Sequence, residues 1–143
     1  MKKMLFASAL ALVFVSCKKD KEEAGNPITM ETLAGTYTLG SVTMKMAGGN
    51  EENITDVTFE ECEKDDRMTL SANGSFSNAD AGTVCDPTTS STGTWSLTSN
   101  NTKINIDGEE STILSYTNGV LKIGETGTMN GINYTVTFTM NKQ

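Results

Sequence analysis

Four dipeptides that favour tight reversal of the backbone divide the second half of the chain into short segments. They are Asn73-Gly74, Asp107-Gly108, Asn118-Gly119 and Asn130-Gly131. Asparagine, aspartate and glycine tolerate the positive φ angles that two-residue hairpin turns require. Strands on either side of such a turn pair antiparallel, so these dipeptides predict a meander of short strands.

The last segment shows the strand pattern most clearly, because apolar residues alternate with asparagine and threonine over residues 132–140. A period of two indicates a strand with one buried face and one solvated face. Shorter alternations occur throughout the chain, and only the neighbourhood of residues 57–66 could sustain a helix. Together they predict eight strands, at about residues 36–46, 66–71, 75–79, 93–98, 102–107, 111–117, 120–126 and 131–141.

The first predicted strand changes phase at Gly40. Tyr37 and Leu39 share one parity, whereas Val42 and Met44 share the other. A bulge or a barrel corner at the glycine would explain the change. Eight meandering strands leave no exposed edge when they close on themselves. We therefore expect an all-β fold, an antiparallel up-and-down barrel of about eight strands, with a sandwich as the alternative.

The amino terminus has the organisation of a secretory signal peptide. Met1-Lys2-Lys3 is basic, and residues 4–15 are largely apolar. That run is shorter than the roughly 20 apolar residues that a membrane-spanning helix needs. Phe14 lies third before Cys17, where an ordinary signal peptidase prefers a small residue. Simple secretion is therefore disfavoured.

Phe14-Val15-Ser16-Cys17 instead resembles a lipobox, although most lipoboxes carry Leu at the position of Phe14. The resemblance implies a lipoprotein signal peptide at 1–16, fatty acids such as palmitate on Cys17, and attachment to the outer membrane. Residues 17–32 would form a disordered tether, and residues 33–143 the barrel domain. The charged run at 18–23 either resembles a surface-export signal or is a plain spacer, so a periplasmic and a cell-surface position both remain open.

Two cysteines remain when Cys17 is assigned to lipid. Cys62 and Cys85 form an even pair in a chain expected in an oxidising compartment, which predicts a disulfide. Two buried thiols and half of a metal site are the alternatives. A zinc site would need two further ligands, and the chain has no histidine.

Charge and composition argue against several functions. The net charge is −7, and loss of Lys2 and Lys3 with the signal peptide would make it −9, so nucleic acid is not an expected partner. Without histidine, a Gly-x-Ser-x-Gly elbow or a Gly-rich phosphate loop, we expect neither catalysis nor a cofactor nor a metal. We interpret Asp65-Asp66 as a solvated turn rather than a catalytic pair.

A series of short motifs resembles a known family. Leu33-Ala34-Gly35-Thr36-Tyr37 opens the domain as a Gly-x-Trp motif opens a lipocalin, and Gly93-Thr94-Trp95 follows later. The cysteine pair and Asn73-Gly74 lie between them. This order resembles the lipocalin-like domain of Gram-negative bacterial lipoproteins, over about residues 33–140.

The resemblance implies a barrel that either encloses one small ligand or is filled by its own side chains. We expect non-catalytic binding of a small apolar or amphipathic ligand. The predicted ligand-binding residues are Tyr37, Trp95, Tyr134 and Phe138, although aromatic side chains at strand spacing are also ordinary core residues. The alternative is a protein-interaction module, an inhibitor or accessory envelope subunit that binds through loops 47–66 and 79–92.

Overall fold

The computed structural model describes residues 27–143, so the predicted signal peptide, Cys17 and the first part of the predicted tether lie outside the described residues. Within this range no helix is long and apolar enough to cross a membrane. The elements are α1 (Met30–Leu33), β1 (Gly35–Met46), β2 (Glu51–Asn53), α2 (Thr55–Thr58), β3 (Arg67–Leu70), β4 (Ser75–Ala79), β5 (Ser91–Thr98), β6 (Lys103–Ile106), β7 (Glu109–Thr117), β8 (Val120–Met129) and β9 (Ile132–Lys142).

All the strands belong to one antiparallel sheet that closes into a barrel. Each strand from β3 to β9 pairs with the next, and β1 pairs with β3 along one edge and with β9 along the other. The predicted all-β barrel of eight strands is confirmed. The structure has a ninth strand, β2, which pairs with the second half of β1. It lies along the same edge of β1 that pairs with β3 in the first half of the strand. All three residues of β2 are polar and exposed, so it lacks the apolar alternation that revealed the others.

Three of the four predicted turn dipeptides form hairpins in which both residues have positive φ angles. They are Asp107-Gly108, Asn118-Gly119 and Asn130-Gly131. This geometry matches the twist of the flanking strands. At Asn73-Gly74 only the glycine has a positive φ, of 87°. There the reversal spans residues 71–75, and the Gly74 amide donates to the Ser71 carbonyl at 2.9 Å.

β1 is irregular at Gly40, as its change of phase predicts. The register with β9 shifts between Leu39 and Ser41, and the shift keeps both Tyr37 and Val42 fully buried. A Cβ atom at Gly40 would lie 2.6 Å from Nδ2 of Asn141 and 3.1 Å from the carbonyl oxygen of Thr139. Glycine therefore lets the two strands stay in contact through the bulge.

The helical turn α1 covers one end of the barrel, which we call the capped end. Leu33 is fully buried in a cluster that includes Tyr37 and Trp95. Ile28 and Met30 pack against the same cluster. Residues that the sequence analysis assigned to a tether ending at 32 therefore pack against the barrel from residue 28 onward.

Side chains of the barrel donate hydrogen bonds to the carbonyl groups of α1. The Tyr37 hydroxyl donates to the Leu33 carbonyl at 2.7 Å. The Tyr116 hydroxyl and the Lys142 ammonium both donate to the Thr32 carbonyl at 3.0 Å. The last carbonyls of a helix have no partner within the helix and favour a nearby cation. These contacts attach α1 to three different strands.

Two long loops, residues 47–66 and 80–90, lie at the other end, which we call the open end. The predicted disulfide between Cys62 and Cys85 is present and joins these loops, with the two Cα atoms 5.4 Å apart. Both loops therefore have a covalent link as well as their attachment to the strands.

Adjacent aspartates support the loop at 80–90. The Thr83 amide donates to Asp65 at 2.9 Å, and the Ala81 amide donates to Asp66 at 3.2 Å. Asp66 also accepts the Thr89 hydroxyl at 2.7 Å. Asp66 is half-buried, so the interpretation of a solvated turn is wrong for this residue. The burial of Asp66 depends on tertiary contacts, because these hydrogen-bond donors come from the loop at 80–90.

Asp80 organises the same loop from within. Its carboxylate accepts hydrogen bonds from the Cys85 and Thr89 amides at 3.2 and 3.1 Å. Burial opposes ionisation of this carboxyl, but hydrogen bonds from the Thr88 side chain and from these two amides outweigh it and hold the pKa of Asp80 below its usual value. The loop is therefore arranged around a charged group.

The buried hydroxyl of Tyr37 predicts a loss of stability at alkaline pH. Burial, reinforced by the neighbouring Tyr116, raises the pKa of Tyr37 above its usual value of 10.0. The stabilisation from a raised pKa is complete below the unfolded-state value and is lost as pH rises through the folded-state value. Tyr37→Phe should lower the free energy of unfolding at pH 7 by about 1 kcal/mol and reduce the further loss above about pH 10.

Urea unfolding between pH 7 and 11 measures both effects. Tyr134→Phe is the control, because the half-buried Tyr134 hydroxyl has no hydrogen-bond partner in the described part of the chain. An alkaline loss in Tyr37→Phe as steep as in the wild type would contradict the assignment.

The disulfide predicts a second stability effect. A double variant, Cys62→Ser with Cys85→Ser, should keep the barrel but lose about 3 kcal/mol of unfolding free energy, because the link constrains a long loop in the unfolded chain. Urea unfolding with and without reductant measures this. Reduced wild type should match the double variant, and an unchanged urea midpoint in both would show that the link is energetically neutral.

Candidate functional site

The barrel interior is packed at the capped end and hollow towards the open end. A cavity of about 340 Å³ lies there, and we call it the mouth cavity. Strand residues Tyr37, Met68 and Phe138 line it from below, and Phe59 and Asp66 line it from the loop side. Its volume lies at the lower end of the range of about 300 to 1,000 Å³ that is usual for small-molecule sites.

The floor of the mouth cavity is apolar and belongs to the inner face of the sheet. Tyr37 of β1 pairs with Met68 of β3, and Leu39 of β1 pairs with Met140 of β9. Phe138, also on β9, packs against the buried core. Cross-strand partners share a face, so the closure of β1 onto β9 places these side chains together.

The rim of the mouth cavity is polar and internally hydrogen-bonded. Asp66 accepts hydrogen bonds from Nδ2 of Asn78 at 3.0 Å and from the Thr89 hydroxyl at 2.7 Å. Glu63, also on the rim, accepts the Glu60 amide on its Oε2 atom at 2.7 Å. An apolar floor with a few oriented polar groups at the rim is typical of small-molecule sites.

Within residues 27–143, no basic side chain lines the mouth cavity. Lys64, next to Glu63, instead contacts Asp56 at 2.7 Å and Glu61 at 2.8 Å. The hydrogen bonds that the Lys64 ammonium donates to these two carboxylates raise the pKa of Lys64 above its usual value. Arg67 is exposed and alternates with the inward-facing Met68. The charge on the cavity wall is therefore negative.

A second depression, of about 530 Å³, lies where β1, β8 and β9 extend towards the open end. Lys45, Thr126 and Thr135 line it and are cross-strand neighbours. Tyr134, which also lines the depression, shares the inner face of β9 with Phe138, so residues of both faces contribute to it. We call this space the outer depression, because it lies farther from the capped end than the mouth cavity and shares no lining residue with it.

The four predicted ligand-binding residues occupy three different places. Tyr37 and Phe138 line the mouth cavity, and Tyr134 lines the outer depression. Trp95 lies at the capped end with 3% of its surface exposed, and its Nε1 donates to the Ser71 carbonyl at 2.8 Å. Trp95 contributes to neither space. The structure therefore brings two of the four together.

The residues of the rim could not be identified from the sequence. Phe59 and Glu63 lie in one long loop, Thr89 lies in the other, and Asn78 lies near the end of β4. None of them stands out in a repeating pattern. The cysteine pair was the available signal, because a link between Cys62 and Cys85 predicts that the two loops meet.

Comparison with protein families agrees with the geometry. The chain matches the model of the lipocalin-like domain over residues 21–123. No curated protein and no solved structure matches it. The matched region is well over half of the 143 residues and includes the Gly35–Tyr37 and Gly93–Trp95 motifs and both cysteines of the disulfide. The chain therefore belongs to the lipocalin-like domain family.

Proposed function

We propose that this chain is a lipid-anchored protein outside the cytoplasm that binds a small apolar or amphipathic molecule and catalyses no reaction. The mouth cavity carries the proposal, because it combines an apolar floor with a polar rim inside the open end of a closed barrel. Membership of the lipocalin-like family supports it, since that fold is generally a binding fold.

The floor of the cavity supports an apolar ligand. Met68, Phe138 and Met140 offer flexible sulfur and aromatic surfaces, and methionine adapts to ligands of different shape. Each methylene group that a ligand buries contributes about 0.8 kcal/mol. A short alkyl chain or a single ring is therefore enough to offset part of the cost of association.

The position of α1 supports an anchor that leaves the cavity accessible. α1 lies at the capped end, whereas the mouth cavity lies beneath the loops of the open end. A tether from Cys17 would thus join the barrel at the end remote from the cavity. Residues 18–27 of the sequence can span about 35 Å when extended, and two or more acyl chains make attachment effectively permanent.

The alternative function is protein binding through the loops of the open end. The observation that favours it is the exposure of two apolar side chains on the disulfide-linked loops, 84% for Val57 and 66% for Val84. Exposed apolar groups on rigid loops suit recognition of a protein partner. Such a partner would bind whether or not the cavity is filled.

Filling the cavity tests the ligand-binding proposal. Met68→Trp should weaken binding of the neutral dye N-phenyl-1-naphthylamine at least about tenfold, because the larger side chain occupies the floor. Met129→Trp is the matched control, since Met129 is 48% exposed and lies outside the mouth cavity. Dye fluorescence measures binding, and circular dichroism checks that both variants keep the β fold.

Wild-type affinity in Met68→Trp would refute the use of this cavity. If the wild type binds no dye, but Met68→Trp and Met129→Trp both capture the same protein from the envelope, the loop-mediated function would be supported instead.

The lipid anchor has its own test. Cys17→Ser should abolish metabolic labelling with palmitate and leave a lipid-free or uncleaved precursor, because it removes the atom that carries the lipid. The double variant with Cys62→Ser and Cys85→Ser is the control and should keep the label, since these cysteines form the disulfide. Continued labelling of Cys17→Ser would rule out this anchor.

A further inference from the structure

We infer that the mouth cavity selects an amphipathic organic cation, a molecule with an apolar body and an ammonium group, over neutral and anionic molecules of the same size. The inference rests on the proposed function, because it names the ligand class of the same cavity. It follows from the distribution of charge around the cavity and from the aromatic rings on its wall.

Two carboxylates, Glu63 and Asp66, line the rim. Asp66 already accepts hydrogen bonds from an amide, a hydroxyl and the Asn78 side chain, so it mainly holds the loops in place. Glu63 is half-buried and accepts the Glu60 amide on Oε2, whereas its Oε1 accepts no hydrogen bond from any described residue. Glu63 therefore has an oxygen that can accept a proton of an ammonium group or lie against a quaternary one.

The nearby basic side chains are directed elsewhere. Lys64 contacts Asp56 and Glu61 away from the rim. Arg67 is exposed, and Lys45 lines the outer depression. An anionic ligand in the mouth cavity would meet two carboxylates with no opposing cation on the cavity wall. Because the rim is partly shielded from water, this repulsion is less screened than at an open surface.

Aromatic side chains inside the cavity also favour a cationic ligand over an anionic one. Phe59 and Phe138 line the cavity and are half-buried, whereas the ring of Tyr37 is fully buried in the core beneath them. The faces of aromatic rings carry negative electrostatic potential and attract organic cations, most strongly where water is excluded. A positive group at the rim would therefore have carboxylate and aromatic neighbours, while its apolar body lies over Met68 and Met140.

Three probes with the same eight-carbon chain separate charge from apolar burial. Octylammonium, 1-octanol and octanoate are used to displace N-phenyl-1-naphthylamine from the purified full chain at pH 7 and low salt. We expect the cation to bind most tightly and octanoate most weakly, with at least about a tenfold difference between them. Raising the salt concentration should reduce this difference, because counterions screen the rim.

Glu63→Gln tests the residue that carries the preference. The amide has the same shape and can still accept the Glu60 amide, so the loop is retained. Cation affinity should fall about fivefold, while affinity for dye and 1-octanol stays unchanged. Glu109→Gln is the control, because it removes the same charge from an exposed residue that does not line the cavity.

The outcomes distinguish this inference from the proposed function. Binding of octanoate as tightly as the cation, with dye and 1-octanol bound, would overturn the charge preference and leave ligand binding intact. An unchanged preference in Glu63→Gln would overturn the assignment to Glu63. Failure of the dye and of all three probes to bind would overturn the proposed function and the inference together.

Discussion

The pairing of β1 with β9 is the contact on which the rest of the structure depends. It joins strands from opposite ends of the domain through nine residue pairs, from Tyr37 with Lys142 to Met46 with Tyr134. Closure removes the two edges that an open sheet would expose. It also brings Lys142 to the carbonyl groups of α1 and places Phe138 beside the residues of β1 that line the mouth cavity. Both ends of the barrel are thus consequences of one long-range pairing.

The two ends are stabilised by different physical means. At the capped end, large apolar side chains are fully buried, and the polar atoms of Tyr37 and Trp95 reach backbone carbonyls. Among the described residues, no buried polar side-chain atom lacks a hydrogen-bond partner. At the open end, a disulfide and hydrogen bonds to aspartates hold the loops. Loops held by polar contacts leave the apolar floor beneath them uncovered. The mouth cavity lies between the packed apolar core and the hydrogen-bonded loops of the open end.

Much of the fold could be predicted because its signals are local. A turn dipeptide such as Asn118-Gly119 specifies its own backbone geometry, and the change of phase at Gly40 indicates a bulge within one strand. The cysteine pair follows from counting. In contrast, β2 and the partners of Asp66 could not be predicted. The exposed residues of β2 have no apolar period, and the donors to Asp66 lie in a different loop.

Local sequence patterns determined the class of the fold, eight of the nine described strands and the face of each of these eight that points inward. Only the tertiary structure decided which inward residues form the core and which line a cavity. Trp95 and Phe138 look alike in the sequence as aromatic residues on alternating strands, yet Trp95 is sealed beneath α1 and Phe138 lies under the loops of the open end. The physical reason is that strand periodicity specifies a side of the sheet. The position along the barrel axis is set by strand register and closure, which are contacts between distant parts of the chain.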